Sequence, residues 1–320
     1  MRRSAWLLGV VVAIALVSTG LGEASDPEIV WQTTDWGGLE RMYGTYVPAE
    51  IASPAPLVFL LHGGGGSAQR TWDQEHGRSW KALADEHGFV LALPEGRADL
   101  GDADAHRWND CRTDLEDEAM ASSEDDVGFI THLMGTISAL MPIDPNRIYA
   151  TGASNGGMMT YRLAIEIGDQ LAAVAAIIAN LPVPSECASS AAPIPILIMN
   201  GTDDPLMPFD GGCVANARCE RGRVASTAET VAFWVNVNDA ATEPTVEKLP
   251  NRAWFDGSTV TVYTFAGGPS GADVVYYHIA GGGHTVPGFE TTSLVHRAVA
   301  GFKNRDIDGP AEIWGFFREH

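Results

Sequence analysis

The hydrophobic positions of this chain fall into short unbroken runs separated by polar, glycine-bearing stretches. Pro56–Leu61, Phe89–Leu93, Ile148–Thr151, Ala172–Ile178 and Ile194–Met199 are apolar along most of their length. A strand with one wet face alternates, so runs of this kind predict strands covered on both sides. Upstream, Ile29–Trp36 and Leu39–Val47 flank Gly37-Gly38 and read as a hairpin at the sheet edge. Val260–Phe265 and Val274–Ile279 read as late strands. Between the runs the period changes to that of a helix. Asp125–Leu140 sets Ile130, Leu133, Ile137 and Leu140 on one face and acids in its first turn. Asn155–Ile167 carries Met158, Met159, Tyr161, Leu163 and Ala164, a face suited to packing under a sheet. Ser226–Asn238 opens with Ser226 and Glu229 at the spacing of a capping box. Trp80–Glu86 predicts a short helix, Thr292–Lys303 a long final one, and residues 95–124 a long polar loop holding Trp108 and Cys111. Alternation of this kind predicts an α/β fold, a mostly parallel sheet with helices on both faces. No internal repeat and no Pro/Ser/Thr-rich linker interrupts it, so residues 25–320 are expected to form a single catalytic domain.

Before that domain, Arg2 and Arg3 precede the apolar run Trp6–Val17, and Gly22-Glu23-Ala24 offers a small-x-small cleavage site. Met1–Ala24 therefore reads as a signal peptide, too short in its apolar part for a spanning helix of ~20 residues. Export to an oxidising compartment turns the four cysteines into candidate disulfides. Cys213 and Cys219 lie close enough to clip one loop, which leaves Cys111 for Cys187. Sequence alone allows three pairings, with four free thiols as the other reading. The net charge is −21 and the only lysines are Lys81, Lys248 and Lys303, a surface that repels nucleic acid and anionic membranes. No C-x-x-C or H-x-x-x-H spacing occurs, so no metal site is expected. The acid-dense run Asp114–Asp126 reads as a solvated loop ahead of a calcium site.

Candidate chemistry begins at Gly152-Ala-Ser-Asn-Gly-Gly157, directly after the run Ile148–Thr151. G-x-S-x-G between a strand and a helix holds the serine on a sharp, strained turn, and side chains at Gly152 or Gly156 would strike the neighbouring elements. A serine hydroxyl becomes a useful nucleophile only when a base takes its proton. In α/β hydrolases the order is Ser, then an acid, then His. Ile194–Met199 runs into Asn200-Gly-Thr-Asp-Asp-Pro205, so the acid is Asp203 or Asp204; Pro205 would rigidify Asp204, which is preferred. Val274–Ile279 runs into Ala280-Gly-Gly-Gly-His284, a loop flexible enough to bring His284 to Ser154. His278, inside that strand, reads as a core or surface residue. Two backbone N–H groups should meet the charge that builds on an ester carbonyl oxygen. Asn155 supplies one, and the loop His62-Gly-Gly-Gly-Gly-Ser67 the other, assigned to Gly64 with Gly63 or Gly65 as alternatives. His62 is expected to fix that loop.

Six ordered blocks carry a resemblance. His62–Ser67, Trp108-Asn109-Asp110, Asp125-Asp126-Val127-Gly128-Phe129-Ile130, Gly152–Gly157, Asn200–Pro205 and Gly282–Gly288 together resemble the polyhydroxybutyrate depolymerase/feruloyl esterase family of secreted α/β hydrolases. The resemblance covers about residues 35–305. It implies an eight-stranded core sheet and an acyl-serine mechanism without a cofactor. The chain departs from the family where Asn200 replaces a frequent His and Val286 a frequent Trp near the substrate mouth, and the Cys213–Cys219 loop looks inserted.

The expected activity is ester hydrolysis by a Ser154, Asp204, His284 triad on feruloylated or acetylated plant-wall esters. Depolymerisation of poly(3-hydroxybutyrate) or a related polyester is the alternative. The chain ends soon after its last predicted helix with no linker or binding module, which favours soluble or oligomeric esters over a solid polymer. Trp108 and Trp254 are candidates for an aromatic platform against a phenolic or sugar ring, with ordinary packing or loop anchoring as the other reading. A hydrolase-fold binding protein without catalysis is disfavoured because every triad type and the glycine loop are present. A peptidase of this fold usually carries a gating domain.

Overall fold

The computed structural model describes residues 28–99, 102–115, 124–187 and 191–320. The expected leader and residues 116–123 of the acidic run lie outside them. Among the described residues no helix is long and apolar enough to cross a membrane.

Strands β1 (Val30–Trp36) and β2 (Leu39–Tyr46) form the predicted hairpin, turning at Gly37 and Gly38. Strand β3 (Ala55–Leu61) leads through the glycine loop to helices α1 (Ala68–Asp73) and α2 (Glu75–His87), and β4 (Val90–Pro94) follows. The expected polar loop holds a small hairpin of β5 (Arg97–Asp99) and β6 (Asp102–Arg107). Then come α3 (Asp126–Leu140), β7 (Ile143–Ala153), α4 (Asn155–Ile167), β8 (Ala173–Ile177) and β9 (Ile196–Gly201). A two-stranded ribbon of β10 (Gly212–Cys213) and β11 (Arg223–Val224) precedes α5 (Thr227–Val237). The chain closes with β12 (Thr245–Lys248), β13 (Thr259–Phe265), β14 (Val274–Ala280), α6 (Leu294–Ala300) and α7 (Gly309–Phe317).

Ten strands make the main sheet in the order β1-β2-β4-β3-β7-β8-β9-β14-β13-β12. The strands from β4 to β14 run parallel, and an antiparallel pair flanks them on each side. Successive side chains on a strand face opposite ways. In β3, Leu57, Phe59 and Leu61 therefore enter the core under α3, α4 and α5, while Val58 and Leu60 enter the core under α2 and α7. In β9, Ile196 and Ile198 divide from Leu197 and Met199 in the same way. This two-sided burial is what the unbroken apolar runs encode.

The resemblance implied a core sheet of eight strands and the sheet has ten, nine of which the hydrophobic pattern marked. The missed one, β12, is exposed at all four positions and pairs only through its backbone at the sheet edge, so it has no hydrophobic signature. The expected long helix Thr292–Lys303 is also shorter. Gly301, at φ +81°, ends α6 after Ala300. Asp308 then caps α7, with Pro310 in its first turn. There Phe317 stacks on Tyr149 at 4.7 Å and Trp314 lies 4.1 Å from Phe89, so α7 seals the second core. Arg41 of β2 and Asp126 at the start of α3 form a buried ion pair at 2.7 Å. Two disulfides, Cys111–Cys187 and Cys213–Cys219, join the pairs that loop proximity suggested.

Candidate active site

Ser154 sits between β7 and α4 at φ 58°, ψ −122°, a conformation L-residues rarely adopt. Two constraints hold it there: its N–H donates to Ile177 O at 2.9 Å, and its own carbonyl accepts the Met158 N–H at 2.9 Å. The flanking glycines are steric necessities. A Cβ on Gly156 would stand 2.5 Å from the Leu61 and His62 carbonyl oxygens, and one on Gly152 would stand 2.5 Å from the Gly156 backbone. The backbones of β3, β7 and α4 meet too closely for a methyl group at either place.

Eighty residues apart in sequence, Asp204 and His284 meet at the sheet's carboxyl edge. His284 Nδ1 lies 2.7 Å from Asp204 Oδ2. Asp204 is 9% exposed, and its Oδ1 accepts the N–H groups of Leu206 and Met207 at 2.8 and 2.7 Å. Both oxygens of this carboxylate are thus engaged, and it is held toward His284. Asp203 is exposed and its carboxylate accepts from the Thr202 hydroxyl at 2.8 Å. The loop carrying His284 is built on close contacts: a Cβ on Gly283 would meet Ala300 O at 2.2 Å, and one on Gly201 would meet Gly282 O at 2.2 Å.

The glycine loop lies beside the serine. Gly65 and Gly66 commit their N–H groups to His106 O and Gly63 O, at 2.9 and 3.0 Å. That removes Gly65 as a free donor and leaves Gly63 and Gly64, of which Gly64 is the residue facing Asn155, 3.1 Å from where its Cβ would be to Asn155 Cβ. His62 is buried; its Nδ1 lies 2.9 Å from Gly63 O and its Nε2 accepts the Gly96 N–H at 2.9 Å. It ties the loop to the end of β4.

Trp108 requires a correction. It is 2% exposed and does not line the cavity around Ser154, so it is no platform for a ring. Its indole N–H donates to His62 O at 2.9 Å, and its backbone N–H donates to Asn155 Oδ1 at 2.8 Å. It positions the glycine loop from behind. Asn155 Nδ2 also donates to Asp110 Oδ2 at 2.6 Å, and Asp110 pairs with Arg112 at 2.7 Å. Trp254 is 78% exposed, packs edge-on against Phe255 at 5.6 Å, and is also absent from the cavity lining.

Ser154, His284 and the glycines 63–66 line one cavity of about 630 Å³. Several of its walls carried no sequence signal. Ile178, a β-branched residue at φ 47°, stands beside Ser154; a strained position of this kind is a mark of functional geometry. His76 of α2 contributes a neutral ring, because burial, with the Arg78 charge adding to it, pushes its pKa down to about 4. Lys303 and Glu75 form an ion pair on the far wall. Val286 does line the cavity. Asn200 does not; its amide bridges Ala179, Asn180 and Thr227 beneath the site. Among the described residues the one tight group of metal-ligating types is Cys111, Glu166 and Cys187, and its two sulfurs are bonded to each other.

A sheet of this order with a serine on a strand-to-helix elbow is the architecture of an α/β hydrolase. The chain belongs to the phospholipase/carboxylesterase family, whose model matches residues 44–220, and it is a carboxylic ester hydrolase. It is 36% identical over 279 residues to a protein of Nocardia uniformis subsp. tsuyamanensis named as an esterase, NocK, covering 84% of this chain and 77% of that one. It is 27% identical to feruloyl esterase B of Talaromyces funiculosus, over 72% of this chain and 54% of the relative. It is 26% identical to poly(3-hydroxyalkanoate) depolymerase C of Paucimonas lemoignei, over 76% of this chain and 58% of the relative. The chain thus spans little more than half the length of the last two. The solved acetyl xylan esterase from Aspergillus awamori matches with a TM-score of 0.56 at 15% identity, over 90% of this chain and 98% of that one, a likeness of fold.

Proposed function

We propose that the protein is a secreted serine esterase that deacylates plant cell-wall esters of the feruloyl or acetylxylan kind. The observation that carries this reading is the 2.7 Å contact of Asp204 with His284, which lines the same cavity as Ser154. In the proposed reaction Ser154 Oγ attacks the ester carbonyl while His284 Nε2 takes its proton. Asp204 holds His284 by Nδ1 and stabilises the charged ring. The Gly64 and Asn155 N–H groups receive the oxyanion. His284 returns the proton to the leaving alcohol, and water then releases the acid from Ser154. The names of the relatives support the substrate class, and the leader pattern with two disulfides supports export.

A second reading, hydrolysis of a polyester, has its own observation. Phe289, Leu294 and Val295 are 52%, 83% and 76% exposed, and the intervening Thr291 and Thr292 line the cavity mouth. An apolar rim of this kind suits a hydrophobic polymer surface. One turnover experiment separates the two: a methyl hydroxycinnamate, an acetylated xylan and a 3-hydroxybutyrate oligomer, each with Ser154→Ala as blank. We expect the highest kcat/KM on one of the first two. An oligomer rate about tenfold above both would establish the polyester reading instead. Equal rates for Ser154→Ala and the parent protein would sink both.

A further inference from the structure

The described residues enclose a second groove, of about 610 Å³, that shares no residue with the Ser154 cavity. Its wall is α5, which turns Ala228, Val231, Ala232 and Val235 toward it at helical spacing. Ala228 and Ala232 are exposed, and their small side chains leave the groove open. Its floor is aromatic. Tyr263 of β13 and Tyr276 of β14 are partners in register and stack at 5.9 Å. His278 stands next along β14, and Phe209 closes that end edge-on to it at 5.7 Å.

Two features say what kind of molecule fits. Tyr276 is 9% exposed, and its buried hydroxyl has no hydrogen-bond partner among the described residues. That hydroxyl is closed off from the groove, so Tyr276 meets a ligand with its ring and not with its donor. Asp239 is the charged residue of the lining, and no lysine or arginine accompanies it. An anion entering would face a carboxylate in a chain of net charge −21, with no cation to meet it. The volume lies within the ~300–1,000 Å³ of ordinary small-molecule sites.

We propose that this groove binds an uncharged aromatic molecule, with its ring against Tyr263 and Tyr276. The groove thereby distinguishes an aryl ester from the acid that hydrolysis of that ester leaves, since only the acid is anionic. This binding is independent of any chemistry at Ser154.

The test uses 4-methoxyacetophenone, which is uncharged and carries no ester, and 4-methoxybenzoate as its anionic counterpart. Binding to the full chain is followed by saturation-transfer NMR and calorimetric titration at neutral pH. The ketone should bind the parent protein. Ala232→Phe, which fills the groove from an exposed position, should weaken it about tenfold or more. The benzoate should bind about tenfold more weakly than the ketone. Turnover of 4-nitrophenyl acetate checks that Ala232→Phe is folded, and Ala228→Phe provides the same block should that variant fail. Ketone binding retained in the blocked variants would place it in the Ser154 cavity and overturn the proposal. So would equal binding of the benzoate, or no binding at millimolar ketone.

Discussion

Asp203 and Asp204 are neighbours in sequence with opposite surroundings. Asp204 is buried, with one oxygen on two backbone N–H groups and the other on His284; Asp203 faces water. Asp204→Asn should lower kcat by ~10³–10⁴, the loss expected when a base keeps its place but loses its orienting charge. Asp203→Asn should change it by less than about threefold. Steady-state kinetics on one small ester read both, and the reverse pattern would move the acid to Asp203. Sequence pointed to Asp204 through Pro205. The structure supplies a different reason, the donors of Leu206 and Met207, which become visible only when the turn is folded. His76 makes a second prediction. Its pKa of about 4 in the folded protein lies below the ordinary value of ~6.5, so on acidification the unfolded chain takes up the proton first. Stability should therefore fall as pH drops from ~6.5 toward 4, and His76→Gln should remove ~1–2 kcal/mol of that fall, measured by urea unfolding at pH 7 and 4.5. Nothing in the pattern around His76 announced it. Its environment comes from the fold around the cavity.

At the scale of elements, the strand, elbow and helix around Ser154 were legible because their demands are local. The helix bounds Asn155–Ile167 and the capping box at Ser226 follow from near-neighbour spacing, and both are present. The glycines of the elbow answer to a close approach of backbones, so a methyl group there has nowhere to go. Gly156→Ala should cost at least ~2–3 kcal/mol and most of the esterase activity. Gly135→Ala, in α3 with nothing within 4 Å of the added carbon, should stabilise the protein by ~1 kcal/mol. Thermal melts of the two variants beside the parent check the contrast. β12 and α7 mark where local reading stops. An exposed edge strand has no apolar period to read, and the length of α6 was set by the backbone reversal at Gly301, beyond which a separate helix closes the core.

Across the whole molecule, long-range ties hold the site's supports. The bridge Cys111–Cys187 spans 76 residues and joins the segment after Trp108 to the segment after β8. The bridge Cys213–Cys219 spans only 6. Loop entropy therefore predicts a loss of ~4 kcal/mol for the double Cys→Ala variant of the first and ~2 kcal/mol for that of the second, read by chemical denaturation. A larger loss for the short bridge would contradict that account. By itself the sequence determined the two-sided sheet, the serine elbow and the order of candidate chemistry, because hydrophobic period and glycine sterics act over a few residues. Only the tertiary structure decided what meets across long separations. It joined Asp204 to His284, buried Trp108 behind the glycine loop, and set Ile178 and Val286 in the cavity wall. It also opened a second aromatic groove beside α5. Contacts of that kind depend on how strands are ordered and how loops close over them, and no short window of sequence carries that information.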